Sequence, residues 1–158
     1  MGDSSASYVR PLNLHPHIEG GNYVETDRSK HTIPSPLPSK PSSSTSGIVP
    51  HRPGFNPDLR SLSTTNFYLL TPSGPQGGFH RNAARTVHAL HRGGGRYVII
   101  HPDENASRGQ YRVESFIVGN DVQNGERLQW VVEGGKFKAS FLLPDCEGGR
   151  EGESGLVD

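Results

Sequence analysis

Two histidines are the side chains in this sequence best suited to moving protons. An imidazole titrates at about 6.5, so one placed in a water-poor site can act as general acid or base near neutral pH. His80 follows Gly77-Gly78-Phe79, and His88 lies in Thr86-Val87-His88-Ala89-Leu90-His91. Side chains alternate across a strand, so Thr86, His88 and Leu90 share one face of that segment and Val87, Ala89 and His91 the other. Glu25 and Arg28 lie three residues apart. They offer either a carboxylate whose pKa a cavity would raise, or an ion pair. No Ser-His-Asp or Cys-His order is present. The single cysteine, Cys146, sits between Asp145 and Glu147, whose charges disfavour a thiolate. Arg92-Gly93-Gly94-Gly95-Arg96 lacks the following helix and the Gly-Lys-Ser/Thr ending of a phosphate loop, and reads as a hairpin turn.

The elements that must position these groups read as strands. A strand is expected at 22–28, and others at 65–71, 86–91, 96–101, 111–118, 127–133 and 137–143. Each is short, β-branched or aromatic in character, and bounded by Gly, Pro, Asn or Asp. No segment keeps a 3.6-residue apolar period over three turns. Many short strands at near-regular spacing predict a sandwich or barrel. Between them, 31–60 carries prolines at 34, 36, 38, 41, 50, 53 and 57 with serines packed between, and reads as a disordered loop insertion. That insertion accounts for a hydrophobic content of only 31%.

Several ordered segments resemble a small cupin family, a jelly-roll branch of largely uncharacterised proteins. Leu14-His15-Pro16-His17-Ile18-Glu19-Gly20-Gly21-Asn22-Tyr23-Val24-Glu25-Thr26-Asp27-Arg28-Ser29 resembles its opening signature. Ser63 to Pro72 is similar to its Ser-Thr-x-Ile-Tyr-Phe-Leu-Leu strand. Phe79-His80-Arg81 is similar to its Trp-His-Arg, and Gln129-Trp130-Val131-Val132-Glu133-Gly134-Gly135-Lys136-Phe137 to its Gln-x-Val-Val-Pro-x-Gly-x-Trp. The likeness extends to fungal members encoded beside polyketide synthases in pathways to salicylaldehyde-type metabolites, commonly labelled cupin-domain oxidoreductases.

The resemblance implies an all-β, cupin-type jelly roll over 14–145, with a flexible N-terminus at 1–13 and a flexible, shortened C-terminus at 146–158 that lacks a closing strand. It places the four metal-ligand positions of metal-binding cupins on Gly78, His80, Thr86 and near Lys138. Only His80 keeps an imidazole there, so no cofactor is expected; a divalent metal held by His80 and His88 is the alternative. If Thr86 faces the barrel interior as its family counterpart does, so does His88. The resemblance then implies His80 and His88 as proton-transfer groups and Lys138 as a positive charge that steadies an enolate or phenolate. Glu19, Glu25, Arg28, Tyr68 and Trp130 are its expected binding residues.

Sixteen Lys and Arg balance sixteen Asp and Glu, so a nucleic-acid footprint is not expected. No apolar run is long enough to span a bilayer, and no leader pattern is seen at the N-terminus. A lone cysteine precludes an intrachain disulfide. The expected picture is a cytoplasmic homodimer acting on a small molecule. Its function is a pathway step on a polyketide-derived or aromatic intermediate, by isomerisation, dehydration or cyclisation. A non-catalytic module that binds a small hydrophobic ligand is the alternative.

Overall fold

A computed structural model describes residues 6–37, 53–104, 109–143 and 156–157. These residues are almost entirely β-structure. In chain order the strands are β1 (His15–Pro16), β2 (Asn22–Arg28), β3 (Thr32–Pro34), β4 (Leu59–Ser61), β5 (Thr64–Leu70) and β6 (Gln76–Arg81). There follow β7 (Thr86–Ala89), β8 (Gly95–His101), β9 (Arg112–Val118), β10 (Gln129–Val132), β11 (Phe137–Leu142) and β12 (Leu156–Val157). One short helix, α1 (Ala6–Val9), precedes them.

The chain divides into two compact units, one of Met1–Val24 with Phe67–Asp158 and one of Glu25–Asn66. The larger unit holds the core. β6, β11, β8 and β9 form an antiparallel four-stranded sheet in that order, and β10 pairs with β7. β8 shows strict alternation, with Tyr97, Ile99 and His101 buried and Arg96 exposed, as a sheet solvated on one side requires. The main core joins Tyr97 and Ile99 to Phe116 and Val118 of β9, Trp130 and Val132 of β10, and Leu70 of β5. At about 25 cal/mol per Å² of apolar area, burial of these large side chains is the dominant stabilising term.

Three stretches read from the sequence as flexible or disordered contain described elements. The N-terminal segment carries α1, and Tyr8, Val9 and Leu12 pack on a second cluster around Leu14 and Leu69. Its apolar residues were too few to reveal a helix of one turn. The described ends of the Pro/Ser-rich segment carry β3 and β4. In the smaller unit Thr32, Ile33 and Pro34 pair with Ser61, Arg60 and Leu59. Pro34 is tolerated because it ends its strand, where a missing N–H costs the ladder least. Residues 38–52 of that segment, and Cys146, lie outside the described residues. In the tail, Leu156 pairs with Leu70 and Val157 with Leu69 on the flank of β5. A two-residue strand makes no readable pattern of its own.

Candidate functional site

The site is built from strands whose inward faces meet in the larger unit. In β11, Lys138 sits opposite Ile99 and Ser140 opposite Tyr97. Since Ile99 and Tyr97 are core residues, Lys138 and Ser140 point inward. Lys138 is only 3% exposed. In β10, Trp130 and Val132 are buried and pair with His88 and Thr86, while Val131 and Val87 are exposed. Thr86 and His88 therefore face inward, the orientation that strand alternation left open between two faces.

β6 reaches the same interior through an irregularity. Lys138 pairs with His80, but Ser140 pairs with Gly77, so Gly78 and Phe79 stand against Ala139 alone. Such a bulge re-aims the side chains beyond it. Without the extra residue, Gly77 and Phe79 would share the inward face and His80 would point out. With it, Phe79 is half exposed and His80 turns toward Lys138. The Gly78 N–H donates to the Glu19 carbonyl at 2.6 Å, which ties the bulge to the segment before β2.

At the centre, the Lys138 amine donates to His88 Nε2 at 3.2 Å. The Tyr97 hydroxyl lies 3.3 Å from the same nitrogen. With Lys138 as an ammonium, the amine donates, Nε2 accepts, and the proton of a neutral imidazole resides on Nδ1. The imidazole stacks on Trp130 with centroids 5.1 Å apart and planes 6° apart. Tyr97 meets the same indole edge-on at 4.9 Å. The indole Nε1–H is buried and has no hydrogen-bond partner among the described residues. Such an orphan donor carries a desolvation cost that an acceptor on a ligand would relieve.

His80 is held differently. Its Nδ1 lies 2.9 Å from the Gly78 carbonyl, which can only accept, so Nδ1 carries the proton and Nε2 the lone pair. Burial pushes its pKa below the ordinary 6.5; the Gly78 hydrogen bond and the Glu19 carboxylate oppose that shift, and Lys138 adds to it. Glu19 Oε2 lies 3.7 Å from His80 Nδ1, beyond hydrogen-bond range but close enough to act through charge. His17 accepts the Glu19 backbone N–H at 3.3 Å on its Nδ1, so that nitrogen has no proton to offer the Glu19 carboxylate nearby.

Of the expected binding residues, Tyr68 packs against the main core and donates to the Gly20 carbonyl at 3.2 Å. Its hydroxyl and Ser140 Oγ flank Gly77, where a Cβ would fall 2.2 and 2.7 Å from them. Trp130 and Glu19 take the places given above. Glu25 and Arg28 belong to the smaller unit, where they form a two-contact ion pair, Arg28 Nε donating to Glu25 Oε1 at 2.8 Å.

The four ligand positions implied by the cupin resemblance fit a metal poorly. They hold a glycine, a histidine, a threonine and a lysine. Among the described residues no group of three His, Cys, Asp or Glu side chains is placed to hold a metal ion. His80 Nδ1 is engaged by a carbonyl and His88 Nε2 by an amine, so a metal there would have to displace Lys138 or use the opposite ring edges.

Two features escaped the sequence. Tyr97 was read as a strand residue, and alternation with Ile99 and His101 was the signal that could have placed it inside. His101, 7% exposed, accepts from Arg112 at 3.0 Å on Nδ1 and approaches Glu104 at 3.1 Å. Among the described residues its Nε2 has no hydrogen-bond partner, and Glu114 Oε2 lies 3.6 Å away. The hydrogen bond from Arg112 holds the Glu104 carboxyl below its ordinary range, and that from Arg127 does the same for Glu114. These pairs fasten the end of the β8–β9 ladder.

Comparison with known proteins agrees with this architecture. A protein of Leishmania major described as hypothetical superposes with a TM-score of 0.66 at 26% identity, covering 96% of this chain and 77% of its own. Protein SO0799 of Shewanella oneidensis shares the fold, with a TM-score of 0.63 at 22% identity over 99% of this chain and 76% of its own. The uncharacterized protein YML079W of Saccharomyces cerevisiae is 47% identical over 139 residues, or 88% of this chain. The chain spans 61% of that yeast protein's length. The family model described as Cupin superfamily (DUF985) matches residues 6–156, and this chain therefore belongs to that cupin family.

Proposed function

We propose that this cupin is a proton-transfer enzyme for small carbonyl compounds of aromatic or polyketide-derived type, centred on Lys138, His88, Tyr97 and His80. The observation that carries the reading is the Lys138 amine, buried inside the sheet layers and hydrogen-bonded to an imidazole stacked on Trp130. A buried amine aimed into a site is fixed electrostatic stabilisation for a developing enolate oxygen, and needs no reorganisation when charge forms. The indole Nε1–H is a second donor for an acceptor-bearing ligand. His80, unprotonated at neutral pH, presents its Nε2 lone pair as the base that removes a proton next to the carbonyl. His88 and Tyr97 share a hydrogen bond through which that proton can be returned to another atom of the substrate. Removal at one carbon and return at another is isomerisation; loss of a β-hydroxyl from the enolate is dehydration; its attack on a second carbonyl is cyclisation. Each is a redox-neutral step within a longer oxidoreductive pathway, and none draws on a metal.

The test is solvent exchange. Phenylacetone, an aromatic ketone with acidic α-protons, is incubated with the protein in D₂O and followed by proton NMR. Protein-dependent loss of the α-proton signal, abolished in His80→Gln and unaffected by EDTA, is the expected result. Binding without exchange would favour the second reading, a module that holds a ligand between Trp130 and its neighbours, which the unsatisfied indole donor supports.

A further inference from the structure

We propose that Lys138 is itself a reacting group, and that its amine condenses with an aldehyde or ketone to form a Schiff base. The inference rests on the site reading above and adds a covalent step to it.

Three observations carry it. The first is where the amine sits: on an inward-facing position of β11, 3% exposed, opposite Ile99 and near Tyr97 and Trp130. A lysine desolvated among apolar side chains is one that proteins use as a nucleophile. The second is its partner. His88 Nε2, at 3.2 Å, offers a lone pair to the amine. An imidazole can take the proton that an attacking amine must lose, and hand it on. The third is Tyr97, whose hydroxyl lies 3.3 Å from the same nitrogen and completes a relay from amine to ring to phenol. A residue meant only as a fixed charge is better served by arginine, which never gives up its proton.

The step balances without an oxidant or reductant. His88 Nε2 first takes a proton from the Lys138 ammonium; the freed Nζ lone pair then attacks the carbonyl carbon, the C–N bond forms, and the C=O π pair moves to oxygen. His88 passes that proton to the oxygen and takes a second from Nζ, giving a carbinolamine. The nitrogen lone pair then expels the hydroxyl, which leaves as water with one further proton. The products are a C=N bond to Lys138 and one water.

The sequence makes the test clean, because it holds four lysines: Lys30, Lys40, Lys136 and Lys138. The full chain is incubated with benzaldehyde and sodium cyanoborohydride, which reduces an imine to a stable benzylamine, and the labelled residue is located by peptide mass spectrometry. Labelling of Lys138 ahead of exposed Lys30 is expected. Lys138→Arg and Lys138→Met, each confirmed folded by circular dichroism, should lose that adduct, and His88→Gln should slow it. Labelling confined to Lys30, Lys40 and Lys136, or no faster at Lys138 than at Lys30, would overturn the inference. If phenylacetone exchange still depends on His80 in that case, the proton-transfer reading stands and only the covalent step falls. If exchange is absent too, both fall.

Discussion

Lys138 occupies a position that packing alone would give to an apolar residue. Its neighbours across the ladders are Ile99 and His80, and its burial carries the desolvation cost of an amine. Lys138→Met keeps length and apolar volume while removing that cost. Replacing a buried charged group in this way is often neutral or stabilising, so urea unfolding should show Lys138→Met more stable by about 1 kcal/mol. A loss of several kcal/mol would mean that Lys138 is a structural tie. His80 makes a second prediction. Its folded pKa lies below 6.5 because burial disfavours the imidazolium. The unfolded chain therefore binds the proton first, and stability is full above pH 6.5 and declines as pH falls through and below it. His80→Gln should flatten that part of the pH–stability profile, read by thermal melts from pH 7.5 down to about 5; an unchanged slope would show that another group sets it. His88 was legible at this scale because its alternation with Thr86 fixed a shared face. Tyr97 shares a face with Ile99 and His101 by the same alternation, but the apolar Val98 and Ile100 on the other face obscured which side was inner.

The element that matters most is β6, and it is among those the sequence hid. Gln76-Gly77-Gly78 has little β propensity, and the two-against-one pairing with Ala139 breaks the period-2 pattern that would reveal a strand. Yet that irregularity brings His80 to Lys138. The glycines have physical reasons: a Cβ at Gly77 would collide with the Tyr68 hydroxyl and Ser140 Oγ, and one at Gly20, where φ is +96°, would lie 2.3 Å from the Gln76 carbonyl oxygen. Gly77→Ala should therefore cost about 1–3 kcal/mol through overpacking, measured by chemical unfolding, and should impair exchange more than Phe79→Ala on the exposed side of the bulge. Equal effects would separate the bulge from function. By contrast, β2 and β9–β11 lay within two residues of where β-branched runs and flanking turns put them. β1, β3, β4 and β12 were not foreseen. They are two or three residues long and exist because a neighbouring strand offers its edge, which is tertiary information.

Over the whole molecule, what the residues made legible was the cupin architecture, since several separated segments carried the family's order. What they left open was whether His80, His88 and Lys138 meet, because that depends on three strands in two sheets and one bulge. The structure brings His88 to the Lys138 amine and sets His80 beside Lys138 across a ladder; Glu25 and Arg28 pair with each other in the smaller unit. No helix of the described residues is long and apolar enough to cross a membrane. Sixteen basic and sixteen acidic side chains leave no net charge to attract a polyanion. Passage through heparin resin at physiological salt without retention is the expected outcome, and retention would reveal a basic face that the balance conceals. The account turns on proton transfer assisted by Lys138, and the measurement that tests it most directly is α-proton exchange of phenylacetone in D₂O with EDTA present. Wild type should exchange the protons and Lys138→Met, at equal or greater stability, should not. Equal exchange by the two proteins would contradict the account.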